Sequence, residues 1–149
     1  MLIIIVLPCA RSQHPKADSL FAVWSDTTNL PIDRLNAFYE RFDPLLHTEG
    51  TNPEAVRWAP FVQEGLGLVN QLGKREYLAR FTVLASATFS LQQDLENACP
   101  LAQQAFDLSL ELSDYNSSMA ALYLLEDCVL VKAGISQNQL DGNYQRITA

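Results

Sequence analysis

The stretch from Ala85 to Asp114, ASATFSLQQDLENACPLAQQAFDLSLELSD, decides the fold of this chain. It contains the end of one predicted helix, a polar turn around Gln93, and a second helix with small residues along one face. The pattern reappears, more weakly, about forty residues earlier and forty residues later. Repeats of this length are typical of stacked helical hairpins.

The weaker copies are recognised by aligning the chain with itself at a spacing of forty residues. The matched pairs include Pro60 and Pro100, Gln63 and Gln103, and Leu68 and Leu108. These matches fix the register of the second helix of each hairpin. Small residues stand where helices would touch, and they let helix axes approach closely; they are Ser86, Ala98, Ala102 and Ala105.

The residues that carry a family resemblance are Ser86, Phe89, the turn Gln93-Asp94-Leu95-Glu96, Ala98, Ala105 and the closing Glu111-Leu112-Ser113-Asp114. With these residues, Leu84 to Asp114 resembles a tetratricopeptide repeat, in the longer form found in helical arrays of bacterial signalling regulators. Two positions depart from the family pattern. Glu126 stands where the family prefers a small residue, and Asn138 replaces an alanine, so the third unit is predicted to be a solvated cap or a truncated repeat.

The chain as a whole predicts an all-α fold: a short α-solenoid of antiparallel helical hairpins with about six to seven helices. The predicted helices are Asp18–Trp24, Pro31–His47, one that starts after Asn52 and ends at Gly73, Arg75–Gln92, Asp94–Leu112, Asn116–Ala133 and Gln137–Arg146. Pro60 lies inside the third helix, so we expect a later start or a kink there.

Two parts are expected along the chain: an apolar N-terminal segment with a linker over residues 1–17, and the repeat domain over 18–149. The run Leu2–Leu7 is too short to span a bilayer and lacks the basic residues of a secretory signal. It is interpreted as a short strand or an apolar cap over the first helix, and a degenerate signal stays open as an alternative.

Composition restricts the classes of partner. The 149 residues are 48% hydrophobic and 18% charged, which is typical of a globular domain. A net charge of −7 repels nucleic acid and anionic membranes, so the sequence predicts neither as a partner. A cationic or neutral peptide is favoured instead.

Cysteine and histidine usage predicts neither a metal site nor a cofactor. Cys9, Cys99 and Cys128 show no C-x-x-C spacing, so we expect reduced, mostly buried thiols in a cytoplasmic protein. His47 shares a predicted helix face with Asp43, which is interpreted as a surface ion-pair arrangement.

The resemblance implies that the first helix of each hairpin lines a concave groove. The groove residues are then Arg80, Val83, Ala87, Tyr123, Asp127 and Leu130. Arg80 would bind a carboxylate, Asp127 would accept from a lysine or a backbone amide, and Tyr123 would add flat contact area. In the alternative interpretation, the two charged residues form a solvated face and the others pack against a neighbouring helix.

The sequence therefore predicts a protein without chemistry of its own that binds a peptide or protein partner through a helical-repeat groove. No motif of a hydrolase or a phosphotransferase is present. Two further hypotheses stay open: a ligand-sensing or regulatory fragment of a larger signalling protein, and self-association through the C-terminal repeat.

Overall fold

The computed structural model describes residues 15–46, 53–131 and 134–148, and the side chains of residues 19–43, 60–131 and 134–148. These residues form α1 (Pro15–Ser25), α2 (Pro31–Leu46), α3 (Pro53–Leu72), α4 (Arg75–Leu91), α5 (Leu95–Glu111), α6 (Tyr115–Leu130) and α7 (Gln137–Thr148), and they include no strand. The predicted all-α class is confirmed. The segment Leu2–Leu7, Cys9, both histidines and the Trp58 side chain lie outside the described residues.

Helix boundaries agree with the sequence to within a few residues, with two informative differences. The first helix begins at Pro15 rather than Asp18, inside the predicted linker, because proline is well tolerated in the first turn of a helix. The helix α3 runs without a break from Pro53 and includes Pro60, so the later start expected there is wrong. Pro60 lies on the exposed side of α3, where the carbonyl that its ring leaves unpaired can meet water.

Three consecutive connections share one backbone geometry. Gly73, Gln93 and Ser113 each adopt a positive φ, of 63°, 60° and 57° respectively. A left-handed residue is a common way to end a helix. After each of the last two, an aspartate starts the next helix: Asp94 accepts a hydrogen bond from the Asn97 amide, and Asp114 from the Ser117 amide. Equal turns at equal spacing therefore produce helices of nearly equal length.

Each helix packs against the next one in the chain, and α4 also packs against α2 and α6. Helix α4 is thus surrounded by four others. Its residues from Phe81 to Thr88 are all buried, including three with hydroxyl groups. Because a helix that is buried all round needs neighbours on every side, α4 is the centre of the arrangement.

The first core cluster joins α1, α2, α3 and α4 around Phe38. Its ring lies 4.7 Å from that of Trp24, 5.4 Å from Phe42 and 5.7 Å from Phe81, measured between centroids. Trp24 is buried. Nearby, the buried Arg34 donates to the Trp24 carbonyl at 2.8 Å and to the Glu64 carboxylate at 3.0 Å, so one side chain ties α1, α2 and α3 together.

The second core cluster lies between α4, α5 and α6, where small residues allow close contact. Ala102, Ala105 and Ala121 are fully buried. The Ser86 hydroxyl donates to the Ala98 carbonyl at 2.8 Å across α4 and α5, which satisfies a buried polar group. The four small positions named from the sequence, Ser86, Ala98, Ala102 and Ala105, are all buried.

Cys99 and Cys128 form a disulfide between α5 and α6, with their Cα atoms 5.9 Å apart. The expectation that both are buried is confirmed, but the expectation that they are separate reduced thiols is wrong. The physical reason is the antiparallel register of the two helices. Cys99 lies as far before Ser113 as Cys128 lies after Asp114, so a turn at these residues brings the two side chains face to face.

The last helix, α7, covers the end of the bundle through polar contacts. Asn143 donates to the Gln103 side chain at 2.9 Å, and Arg146 donates to Asp107 at 2.6 Å. The Tyr144 hydroxyl donates to Glu126, the residue that departs from the family pattern. Glu126 thus helps to hold α7 against α6.

Two glycines in α3 give a matched test of helix packing. A Cβ atom at Gly65 would lie 2.3 Å from the buried Phe81 ring, whereas one at Gly67 would meet nothing within 4 Å. Overpacking a core costs about 1–3 kcal/mol, more than the roughly 1 kcal/mol that alanine gains over glycine in a helix. We expect Gly65→Ala to lower the free energy of unfolding and Gly67→Ala to raise it, measured by urea denaturation. Equal effects of both changes would contradict the close contact of α3 with α4.

The disulfide gives a second prediction. It closes a loop with a sequence separation of 29 residues, which in the chain-entropy model stabilises the fold by roughly 3–4 kcal/mol. We expect a reductant to lower the melting temperature of the wild type and of Cys9→Ser. The double variant Cys99→Ala, Cys128→Ala should melt low with or without reductant. Titration of the unfolded, non-reduced protein should find Cys9 as the one free thiol, and finding three would show that the bridge is absent.

Candidate functional site

A cleft of about 530 Å³ lies where α2, α4 and α6 run side by side. Its walls combine rings, charged groups and small apolar side chains. The lining residues are Tyr39, Asp43, Arg80, Val83, Asp114, Asn116, Ser117, Met119, Ala120 and Tyr123. The volume lies within the range of sites that bind small molecules or a few residues of a peptide.

Helical periodicity explains why these residues meet. Residues three or four apart share a helix face, so Tyr39 and Asp43 point the same way on α2, and Arg80 and Val83 do so on α4. On α6 the same spacing links Asn116, Met119, Ala120 and Tyr123. The cleft is therefore made of three parallel stripes, one from each helix.

Arg80 lines the cleft and is held on two sides. Its Nε atom lies 3.5 Å from a carboxylate oxygen of Asp114, and its guanidinium carbon lies 5.5 Å from the centre of the Tyr39 ring. The Arg80 side chain is nevertheless 41% exposed. Within the part of the chain that the structure describes, its terminal nitrogens make no hydrogen bond, so they can donate to a ligand.

The pKa of Tyr39 responds to its burial and to the charged groups around it in the cleft. Burial raises the pKa of its hydroxyl to about 12, helped by the charge of Asp43, by a hydrogen bond to that carboxylate, and by the charge of Asp114, while Arg80 acts in the opposite direction. The phenol therefore stays neutral and acts as a hydrogen-bond donor across the physiological range.

Asp114 lines the cleft and is also the N-terminal cap of α6. It caps α6 by accepting from the Ser117 amide at 3.2 Å and from the Ser117 hydroxyl at 2.9 Å, and it also faces Arg80. The same carboxylate thus sets the start of α6 and orients the cleft arginine. Ser117 lines the cleft, but its hydroxyl is directed to this cap.

Of the six residues predicted for the groove, Arg80, Val83 and Tyr123 line the cleft. Ala87 is on the same face of α4 as Val83 and is equally buried, but it is not part of the cleft lining. Asp127 and Leu130 continue the Tyr123 face of α6 and are exposed, but they are not part of the cleft lining. The structure therefore brings three predicted residues together and separates the other three from them.

Sequence reasoning missed Tyr39, Asp43, Asp114 and the small side chains of α6. A signal for Asp43 was present. Asp43, Val83 and Tyr123 are spaced by forty residues, and all three line the cleft. Extending the forty-residue alignment one unit toward the N-terminus would have found Asp43, but the residues before Pro60 preserve too little of the pattern to suggest it.

Among the residues that the structure describes, no three His, Cys, Asp or Glu side chains are grouped so that they could hold a metal ion. None of the helices there is long and apolar enough to cross a membrane.

Fold and site together define an all-α protein with a mixed polar and aromatic cleft between alternate helices. Comparison with protein-family models, with curated proteins and with solved structures finds no match. The function must therefore be argued from the cleft itself.

The raised pKa of Tyr39 predicts how stability changes at high pH. The folded-state pKa of about 12 lies above the ordinary value of 10, so the contribution of this phenol is complete below pH 10 and is lost as the pH rises toward 12. We expect the unfolding free energy of the wild type to fall more steeply in this window than that of Tyr39→Phe. Asp43→Asn should lower the pKa of Tyr39, as read by NMR of ¹³C-labelled tyrosine. An unchanged pKa would show that Asp43 does not act on the phenol.

Proposed function

We propose that this protein is a non-catalytic interaction module that binds a peptide or protein partner in the cleft between α2, α4 and α6. The observation that carries the proposal is the convergence of Arg80, Val83 and Tyr123 on one cavity. The sequence predicted these residues on the concave side of a tetratricopeptide-like array. They line the same cavity as Tyr39 and Asp43 of α2.

Two regularities support a tetratricopeptide-like array of hairpins as the scaffold. Left-handed residues end three successive helices at intervals of twenty residues, at Gly73, Gln93 and Ser113. Alternate helices also supply equivalent positions to the cleft, at the forty-residue spacing of Asp43, Val83 and Tyr123. In an array of hairpins, alternate helices lie next to one another and form a shared surface, as α2, α4 and α6 do here.

The chemistry of the lining suits a peptide. The Tyr123 side chain is 59% exposed, so it offers an aromatic ring with a polar tip. The Arg80 guanidinium and the Asn116 amide can bond to backbone or side-chain groups, while Val83 and Ala120 give an apolar floor. Because these groups stand on helices rather than on loops, the site is largely formed before a partner arrives.

A ligand-sensing role is the second candidate, and the size of the cleft favours it. A cavity of about 530 Å³ can hold a metabolite as well as part of a peptide. In this case the chain would be a regulatory unit of a larger signalling protein. Self-association stays a third hypothesis, supported by Leu130 and Val131, which are 78% and 56% exposed near the end of α6.

The cytoplasmic location expected from the sequence stays a prediction, and one feature weighs against it. Stable disulfides form in oxidising compartments and are rare in the cytosol of mesophilic organisms. The Cys99–Cys128 bridge is therefore more typical of an exported protein. Alkylation of thiols in living cells before lysis, followed by mass spectrometry, would decide between the two locations.

The binding proposal is tested with two tyrosines on the same helix. Tyr115 and Tyr123 are both 59% exposed on α6, but only Tyr123 lines the cleft. Proteins captured from native lysate by the wild type should be lost with Tyr123→Ala and retained with Tyr115→Ala. Truncation of a tyrosine that is a binding hot spot weakens binding by about 2 kcal/mol, roughly thirtyfold, which calorimetry with the purified partner would measure.

The outcomes separate the candidates. If both tyrosine variants retain the same partner, the cleft is not the binding site. If no partner is captured, a panel of metabolites is tested by thermal denaturation, where a ligand of the cleft raises the melting temperature of the wild type but not of Tyr123→Ala.

A further inference from the structure

The charged groups of the cleft are already engaged. Asp114 accepts two hydrogen bonds from Ser117 and faces the Nε atom of Arg80. Asp43 accepts a hydrogen bond from Tyr39 and makes a further interaction. In the part of the lining that the structure describes, a charged side chain of a ligand would thus lose hydration without finding a counter-charge that lacks a partner. The cleft is better matched to an uncharged group.

A carboxylate of a ligand is poorly matched even to the arginine. Arg80 supplies the positive charge of the described lining, and its Nε atom lies 3.5 Å from Asp114. A second carboxylate at the same guanidinium would stand beside the first, and like charges close together in a partly buried site are unfavourable. A neutral acceptor, such as a peptide carbonyl, can accept from the terminal nitrogens of Arg80 without this repulsion.

The hydrogen-bonding groups that are still available suit a peptide main chain. Within the described residues, the terminal nitrogens of Arg80 and the side-chain amide of Asn116 make no hydrogen bond. An amide side chain carries a donor and an acceptor side by side, and a peptide unit presents the same two kinds of group. Asn116 can therefore bond to a main-chain carbonyl or amide, and Arg80 adds donors for a further carbonyl.

The apolar part of the lining is continuous with the core. Val83 belongs to the second core cluster, and Met119 and Ala120 pack against that cluster while they stay half-buried. Tyr123 adds a ring that is 59% exposed. Apolar surface left partly open in this way gains free energy when an apolar side chain covers it. Because a packed core stands behind it, this surface is formed before a ligand arrives.

We propose that the partner segment inserts one uncharged aliphatic side chain, of about the size of leucine, against Val83, Met119 and Tyr123. Asn116 and Arg80 bind the main chain of the same segment. This inference rests on the proposed function, and it adds the chemistry of the group that is recognised. The partner is thus expected to present an apolar peptide segment rather than a charged one.

The test uses the blocked peptides acetyl-Ala-Ala-X-Ala-Ala-amide, in which X is leucine, asparagine, lysine or glutamate. Binding is measured by NMR titration up to millimolar peptide, with the amide signals of α6 as reporters. Leucine and asparagine have nearly the same shape, so their difference reports the burial of apolar surface. The leucine peptide should bind about tenfold more tightly than each of the others. Its affinity should not fall as salt is added, because it forms no ion pair.

Asn116→Asp tests the contact with the main chain. It keeps the shape of the side chain but removes its N–H donor, and a carboxylate in the first turn of a helix does not weaken the helix. It should weaken the leucine and asparagine peptides alike, by about fivefold, the net effect of one hydrogen bond. Asn138→Asp is the matched control, since Asn138 is also exposed and also the second residue of its helix but lies outside the cleft lining. It should leave both affinities unchanged, and circular dichroism verifies that each variant is folded.

Three results would overturn the proposal. If the lysine or the glutamate peptide binds best and salt weakens it, the cleft recognises a charge. If leucine and asparagine peptides bind equally, or if none of the four peptides shifts the α6 signals, an aliphatic side chain is not recognised. If Asn116→Asp and Asn138→Asp have the same effect, Asn116 does not hold the main chain.

The proposed function can survive the failure of this inference. A captured partner that requires Tyr123, but whose binding segment inserts a charged side chain, would sustain the function and reject the aliphatic anchor. A partner insensitive to Tyr123→Ala would reject the function itself.

Discussion

The burial of the segment Phe81–Thr88 on all sides of α4 is the constraint on which the other helices depend. Eight consecutive buried residues require partners around the full circumference of the helix, and α2, α3, α5 and α6 supply them. The polar groups of the segment are satisfied without water. Thr82 and Thr88 bond to carbonyls of their own helix, and Ser86 bonds across to α5. The two core clusters meet in this segment, since Leu84 belongs to one and Val83 to the other.

The position of the cleft follows from this burial. Arg80 directly precedes the buried segment, at a point where α4 is still partly open to solvent. One turn later Val83 forms the floor, although it is only 7% exposed. Ala87, a further turn later, is equally buried and is not part of the lining. A face predicted as continuous therefore contributes to the site only near its beginning.

Features set by local chemistry could be predicted from the sequence, and features set by distant contacts could not. Gly73, Asp94 and Asp114 mark helix ends through their own backbone and capping preferences, so the helices were predicted to within a few residues. The disulfide depends on the register between two helices, and that register is fixed by their shared turn rather than by any cysteine motif. Asp43 depends on how α2 packs against α4. Of the four small positions in the repeat pattern, only Ala105 has a small counterpart forty residues earlier, at Gly65.

The disulfide and the cleft lie on opposite faces of α6. Cys128 is buried and ties this helix to α5, whereas Tyr123 is exposed to the cleft. At the start of the same helix, Asp114 holds the first turn through Ser117. A helix fixed at its cap and near its last turn presents its side chains in a defined arrangement, so a ligand does not have to order the wall that it binds. Reduction of the bridge would remove one tie near the C-terminal end of α6, while the Asp114 cap still holds the end that carries most of the cleft lining.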